Sequence, residues 1–299
     1  MTGSRVEGQT LNGESGVIAY VNFVKLPHTV FALPFALLGV VYASWMIRVS
    51  TSQVLLVVLA FTAVRFAAMG FNRIVDQRFD ALNPRTKDRE LPAGRLLLPR
   101  AVVAVLVASA IFVVCAALLN RLCLILSPLA LAWTLGYSYT KRFTSWSHLW
   151  LGGALAMAPV GGYLAITGIW SSPWWTLVVL ACAVLTWVGG FDIFYALQDE
   201  QFDREHGLRS AVVRLGRSRS ILLAKSLHGV TLLGLLAFGV GVGLGVWYYV
   251  GVTLAAALLV WEHQLVRPDD LSRLDAAFYT MNGIIAIVIF LGTLGDRLL

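Results

Sequence analysis

The sequence predicts an all-α integral membrane protein, on three observations. Of its 299 residues, 58% are hydrophobic and 13% charged, against about 45–50% apolar and about 25% charged in an ordinary soluble domain. The mean hydropathy is +0.77. The apolar residues gather into runs of the ~20 residues that a helix needs to cross a bilayer, and most Lys and Arg fall between the runs. The net charge of +7 therefore reads as membrane topology and argues against a nucleic-acid-binding face.

Residues 1–16 are polar, contain no apolar signal-peptide core and read as a disordered tail. Residues 17–299 read as one transmembrane domain. About nine spans are expected, at 22–46, 53–76, 101–119, 122–139, 147–168, 174–196, 221–243, 245–263 and 276–295. Ser171-Ser172-Pro173 and Arg267-Pro268-Asp269-Asp270 mark clear breaks. Gly239, Gly241, Gly243 and Gly245 blur the boundary between the seventh and eighth spans, so eight or ten helices stay open. Cys115, Cys123 and Cys182 form no CxxC pair and read as small hydrophobes.

The charges test the count. With nine spans, 19 of the 23 Lys and Arg fall on the side of the N-terminus. Arg48, Arg121 and Arg297 fall on the other side, and Arg65 lies inside the second span. The positive-inside rule makes the rich side the cytoplasm, in the inner (cytoplasmic) membrane of a cell. That rule does not govern Asp and Glu, yet 15 of 16 lie on the same side, with Asp296 the exception. A chemical site at the cytoplasmic face accounts for this.

The acids concentrate at two helix ends. The second span closes with Asn72, Asp76 and Asp80, spaced i, i+4, i+8 along one stripe, and the sixth with Asp192, Asp199 and Asp203. Both Asp pairs are offset by 123 positions, a hint of two related halves at approximately 22–139 and 147–299. Stacked carboxylates repel, and ionisable groups near the apolar layer are costly enough to imply function. Hard oxygen ligands on facing helices suit Mg2+ carried with a phosphate group; solvated helix ends paired with nearby Arg are the bland alternative. Arg85, Lys87, Arg89, Lys141 and Arg142 follow on the same side, as a diphosphate requires. No Gly-rich P-loop is present, which disfavours a nucleotide hydrolase.

Asn72-xxx-Asp76-xxx-Asp80 with Asn83-Pro84-Arg85-Thr86, Tyr137-xxx-Lys141, and Tyr195-Ala196-x-Gln198-Asp199-xxx-Asp203 together resemble the UbiA-type family of membrane-embedded aromatic prenyltransferases. The resemblance runs from His28-Thr29-Val30-Phe31-Ala32-Leu33-Pro34 to the last helix. It implies nine helices around a central cavity, with Mg2+ and an isoprenyl diphosphate at the cytoplasmic end. It also implies that Asn72, Asp76 and Asp80 form one metal–diphosphate motif and Asp192, Asp199 and Asp203 the other. Arg89 and Lys141 match diphosphate-contacting positions, and Tyr137 a cavity tyrosine near the reacting carbon. Many members carry Asp directly after the first Asn, whereas this chain has Arg73, which puts the metal stoichiometry in question.

The expected reaction is ionisation of a polyprenyl diphosphate and attack on the allylic cation by a phenol ring. Mg2+ on Asp76, Asp80, Asp199 and Asp203 acts on the leaving group, with Arg89 and Lys141 and also Arg85, Lys87 and Arg142 beside it. Tyr137 is expected to shield the cation or position the acceptor, or to be an interfacial belt tyrosine. Arg65, almost two turns before Asn72 and roughly 10 Å deeper at 1.5 Å per residue, either pairs with Asp192 or fixes the carboxylate of an aromatic acid. The resemblance favours the acid and points to 4-hydroxybenzoate. Another acceptor from a menaquinone route stays open, as does a transporter or lipid flippase using the charged helix ends.

Overall fold

A computed structural model of the chain describes residues 16–25, 32–266, 271, 274 and 281–299. Most of the expected polar tail, His28–Phe31 and the break at Arg267–Asp270 lie outside the described residues. The long helices are α2 (Leu33–Ser44), α3 (Thr51–Val75), α5 (Leu98–Leu119), α6 (Arg121–Gly136), α7 (Ser147–Thr167), α8 (Trp175–Ala196), α11 (Arg217–Val242), α12 (Val246–Leu265) and α13 (Asn282–Leu298). Short helices α1 (Gly16–Phe23), α4 (Gln77–Leu82), α9 (Glu200–Glu205) and α10 (Ala211–Leu215) flank them.

Local chemistry sets several of these ends. Ser50 and Gln53 form a reciprocal capping box at the start of α3. Asn120 caps α6 by accepting from the Cys123 amide at 2.9 Å. The ambiguous glycine-rich stretch resolves at Gly243, whose φ of 75° ends α11 in the left-handed region before α12 begins.

Six helical stretches among the described residues are long and apolar enough to cross a membrane: 51–75, 98–119, 121–142, 147–167, 175–205 and 217–242. The other three expected spans differ in form. The first is not one helix from residue 22: α1 stops at Phe23, Lys25 has a φ of 46°, and α2 has 12 residues. Helix α12 has 20 residues but carries Glu262 and His263 near its end, and α13 has 17 described residues. The three cysteines are free.

Round the molecule α2, α3, α5, α6, α7, α8, α11, α12 and α13 each pack on the next, and α13 closes on α2. Helix α2 also crosses against α7. Where association is not driven by excluding water, small residues let helix backbones meet. A Cβ on Gly39 would stand 2.0 Å from the Pro159 carbonyl oxygen, and one on Gly162 2.0 Å from that of Ala36. Polar ties supplement the packing: Trp187 Nε1 donates to Asn282 Oδ1 at 2.9 Å, and Asn282 Nδ2 to Glu262 Oε1 at 3.1 Å. Asp296 accepts from the Trp247 and Tyr248 amides at 3.0 Å each and so caps α12 from α13. Its neighbour Arg297 donates to Ser44 at the end of α2.

Candidate active site

Both acidic helix ends bend, and they bend at matching residues. Helix α3 gives way to α4 at Asp76, with φ −94° and ψ 7°. Helix α8 passes through a 3-10 turn at 197–199 into α9, and its break is Asp199, with φ −98° and ψ 5°. Both residues occupy the bridge region between helix and strand, where many active-site residues sit. The third element, at the end of α6, tightens into a 3-10 turn, Tyr137–Arg142, whose last turn carries Lys141 and Arg142.

These ends converge on a cavity of about 350 Å3. One part is apolar, lined by Phe61, Val64, Ala68, Leu151, Leu155 and Phe191. The other part carries Asn72, Asp76, Asp80, Arg85, Arg89, Tyr137, Lys141, Arg142, Asp192, Asp199 and Asp203, and Arg65 also lines it. All the expected site residues therefore meet except Lys87, which is exposed and lies off the cavity. The turn that buries Thr86 and places Arg85 and Arg89 inside leaves Lys87 outside.

Each carboxylate has a cationic or histidine partner from another segment. Arg85 grips Asp199 with two bonds, Nε to Oδ1 at 3.0 Å and Nη2 to Oδ2 at 2.6 Å, and its Nη1 donates to the Tyr195 hydroxyl at 2.8 Å. Asn83 Nδ2 adds a bond to Asp199 at 3.2 Å. Burial opposes the charge of Arg85, but Tyr195 and Asp199 more than offset it, so its pKa is raised further. Arg89 holds Asp80 at 2.6 Å, Lys141 holds Asp203 at 3.0 Å, and Arg142 reaches Asp76 at 3.4 Å. Asn72 Nδ2 donates to Asp76 Oδ2 at 2.9 Å. Burial, then the charge of Asp80, lifts the Asp76 carboxyl to about 6, against the pull of Arg142.

Asp192 does not pair with Arg65. Its Oδ2 takes a 2.7 Å bond from His148 Nδ1, a fully buried side chain on α7. The Ala211 amide donates to His148 Nε2 at 3.3 Å, which places the ring proton on Nδ1 and makes that nitrogen the donor. The hydrogen bond of Arg65 runs instead from Nη1 to the Val24 carbonyl at 3.3 Å.

No group of three or more His, Cys, Asp or Glu among the described residues is gathered closely enough to hold a metal ion unaided. The expected metal set is thus dispersed, because its members are held by Arg85, Arg89, Lys141, Arg142 and His148. The donor chemistry nevertheless fits a hard divalent cation: five carboxylates and the Asn72 amide line one cavity, and Asp80 Oδ2 is buried without a hydrogen-bond partner. His148 and Tyr195 complete the site and were not among the expected site residues. Asp192, an acid placed within a span, implied a partner on a neighbouring helix, but its spacing does not say which helix.

A ring of apolar helices whose acidic and basic ends meet over an apolar cavity suits a molecule with a charged head and an apolar tail. The UbiA prenyltransferase family matches residues 32–285, and the chain belongs to that family. It is 31% identical over 244 residues to 4-hydroxybenzoate octaprenyltransferase of Nitrosospira multiformis, covering 82% of each chain. It is 31% identical over 220 residues to the enzyme of that name from Ectopseudomonas mendocina, covering 73% of this chain and 72% of the relative. The solved apo structure of a UbiA homologue from Aeropyrum pernix K1 superposes with a TM-score of 0.83 at 33% identity, covering 91% of this chain and 99% of that one. A UbiA homologue from Archaeoglobus fulgidus bound to DMAPP and Mg2+ shares the fold, with a TM-score of 0.67 at 17% identity over 93% of this chain and 99% of that one.

Proposed function

We propose that the protein transfers a polyprenyl group from its diphosphate to a ring carbon of a phenolic acid, with 4-hydroxybenzoate the acceptor, in quinone biosynthesis. The carrying observation is the pair of bent acidic ends, each engaged by cations, at one end of a cavity that is otherwise apolar. The names of the curated relatives support the acceptor, and the DMAPP- and Mg2+-bound homologue supports the donor and the ion.

Asn72, Asp76, Asp80, Asp199 and Asp203 would hold Mg2+. When bound, the ion supplies Lewis-acid charge to the leaving diphosphate. Because every carboxylate already has a basic partner or neighbour, the incoming diphosphate exchanges partners with Arg85, Arg89, Lys141 and Arg142 and does not enter a bare acidic pocket. Those cations stabilise the charge that grows on the leaving oxygens as the allylic C–O bond breaks. Tyr137 presents its ring to the cation beside them. Asp192, oriented by His148, keeps one oxygen for the phenol hydroxyl of the acceptor, and Arg65 binds its carboxylate. Ring attack then forms the C–C bond, and loss of the ring proton restores aromaticity.

Nine spans and a cytoplasmic catalytic end belong to the same reading, supported by the closed helix order and the one-sided Lys and Arg. Mass spectrometry of products, after purified protein is offered several aromatic acceptors and prenyl diphosphates with Mg2+, tests the reaction. A prenylated 4-hydroxybenzoate that disappears in EDTA is expected. Turnover of a different aromatic ring alone corrects the acceptor, and no turnover of any prenyl diphosphate overturns the reading.

A further inference from the structure

Arg73 has no part in the scheme above, yet it is placed like a ligand-binding residue. It lies in the last turn of α3 directly after Asn72, lines the cavity and is 4% exposed. Its Nε and Nη1 are buried and make no hydrogen bond among the described residues. The carboxylate oxygen within ion-pair reach is Asp80 Oδ2, at 3.9 Å from Nη1, which is too far for a hydrogen bond. That oxygen is itself buried and unpartnered, while Asp80 Oδ1 is taken by Arg89 at 2.6 Å. One carboxylate thus faces two guanidinium groups.

The neighbouring cations are differently placed. Arg85 is held by Asp199 and Lys141 by Asp203, both at hydrogen-bond distance. Arg73 lines the same cavity with two guanidinium nitrogens, Nε and Nη1, that have no hydrogen-bond partner among the described residues. A buried cation short of both counter-charge and hydrogen bonds is expensive. A small anion with several acceptor oxygens removes both deficits, since guanidinium donors match phosphate oxygens in pairs.

We propose that Arg73 binds the diphosphate directly, so that the site retains affinity for that anion with no metal ion present. The inference rests on the prenyl diphosphate reading above and deepens it: the positive charge at residue 73 is part of the chain itself and does not leave with a chelator.

Isothermal titration of the purified full chain in detergent with inorganic pyrophosphate, in EDTA and again in Mg2+, tests this. Wild type is expected to bind in EDTA. Arg73→Met should weaken that binding at least tenfold, and Arg73→Lys, with the charge but not the fork, should fall between. Arg219→Gln, which removes an exposed charge remote from the cavity, should bind as wild type does. If Arg73→Met does not purify folded, Arg73→Lys against wild type carries the comparison through a weakened pyrophosphate-induced rise in Tm. Wild-type binding in Mg2+ but none in EDTA, or equal binding by wild type and the Arg73 variants, overturns the role of Arg73 alone. No pyrophosphate binding by wild type under either condition overturns the prenyl diphosphate reading as well.

Discussion

Replacing Arg65 should separate the two substrates kinetically. Its guanidinium donates to the Val24 carbonyl at 3.3 Å, and its charge has no carboxylate partner within 4.0 Å among the described residues. A hydrogen bond to a charged group is worth about 1.5–3 kcal/mol. At about 1.36 kcal/mol per tenfold in rate, Arg65→Met should lower kcat/KM for a carboxylate acceptor about 10- to 150-fold. The KM for prenyl diphosphate should stay within about threefold, because Arg65 sits roughly 10 Å deeper than Asn72 along α3. The assay is initial-rate kinetics in detergent, varying each substrate, with 4-hydroxybenzoate and its uncharged amide compared. Wild type should prefer the acid by a similar factor and the variant should lose that preference. If the variant keeps the preference, or if both substrates weaken equally, the carboxylate assignment of Arg65 is wrong.

Acid should weaken metal binding through Asp76. With its carboxyl pushed up to about 6 by burial, Asp76 as a proposed Mg2+ ligand must lose its proton before a cation enters, so apparent Mg2+ affinity falls as pH drops through that value. One such proton implies about fourfold weaker binding at pH 5.5 than at pH 7.5, measurable from the Mg2+ dependence of Tm; a pH-independent midpoint contradicts it. Asp296→Ala removes both bonds that α13 gives to the start of α12 and should cost about 0.5–2 kcal/mol, read as a lower Tm with unchanged KM values. Single cysteines in 77–100, 140–146 and 200–220, in a Cys-free background, should all resist an impermeant thiol reagent in intact cells. Labelling of one loop but not the others would show a different span count.

The sequence reading was strongest where periodicity and chemistry agreed. Asn72, Asp76 and Asp80 recur with a helical period, and so do Asp199 and Asp203. That pattern is enough to bring the two ends to one face and, with the basic residues that follow them, to anticipate most of the charged residues that line the cavity. It was weaker where a contact joins distant segments. The His148 bond to Asp192 spans 44 positions and the Arg85 grip on Asp199 spans 114, and no local pattern encodes either. Hydropathy also misjudged the first span, because apolar residues run on across the turn at Lys25. Lys87 shares the charge of Arg85 and Arg89, but the chain coils through successive turns at 83–89 that leave Lys87 exposed, and composition does not register direction.

The matched bends at Asp76 and Asp199 have a consequence for how such a protein diversifies. The groups proposed to grip the leaving phosphate lie at or beyond the ends of the long helices, Asp80 on α4, Asp203 on α9, Arg85 and Arg89 in the turns after α4, and Lys141 and Arg142 in the 3-10 turn after α6, while the groups proposed to receive the tail and ring sit on the long helices themselves. A joint between them lets one assembly be re-bored for a longer tail or a different ring while the other keeps its alignment. Substitutions at Phe61, Leu151, Leu155 or Phe191 can thus explore new cargo, while the release chemistry is inherited intact.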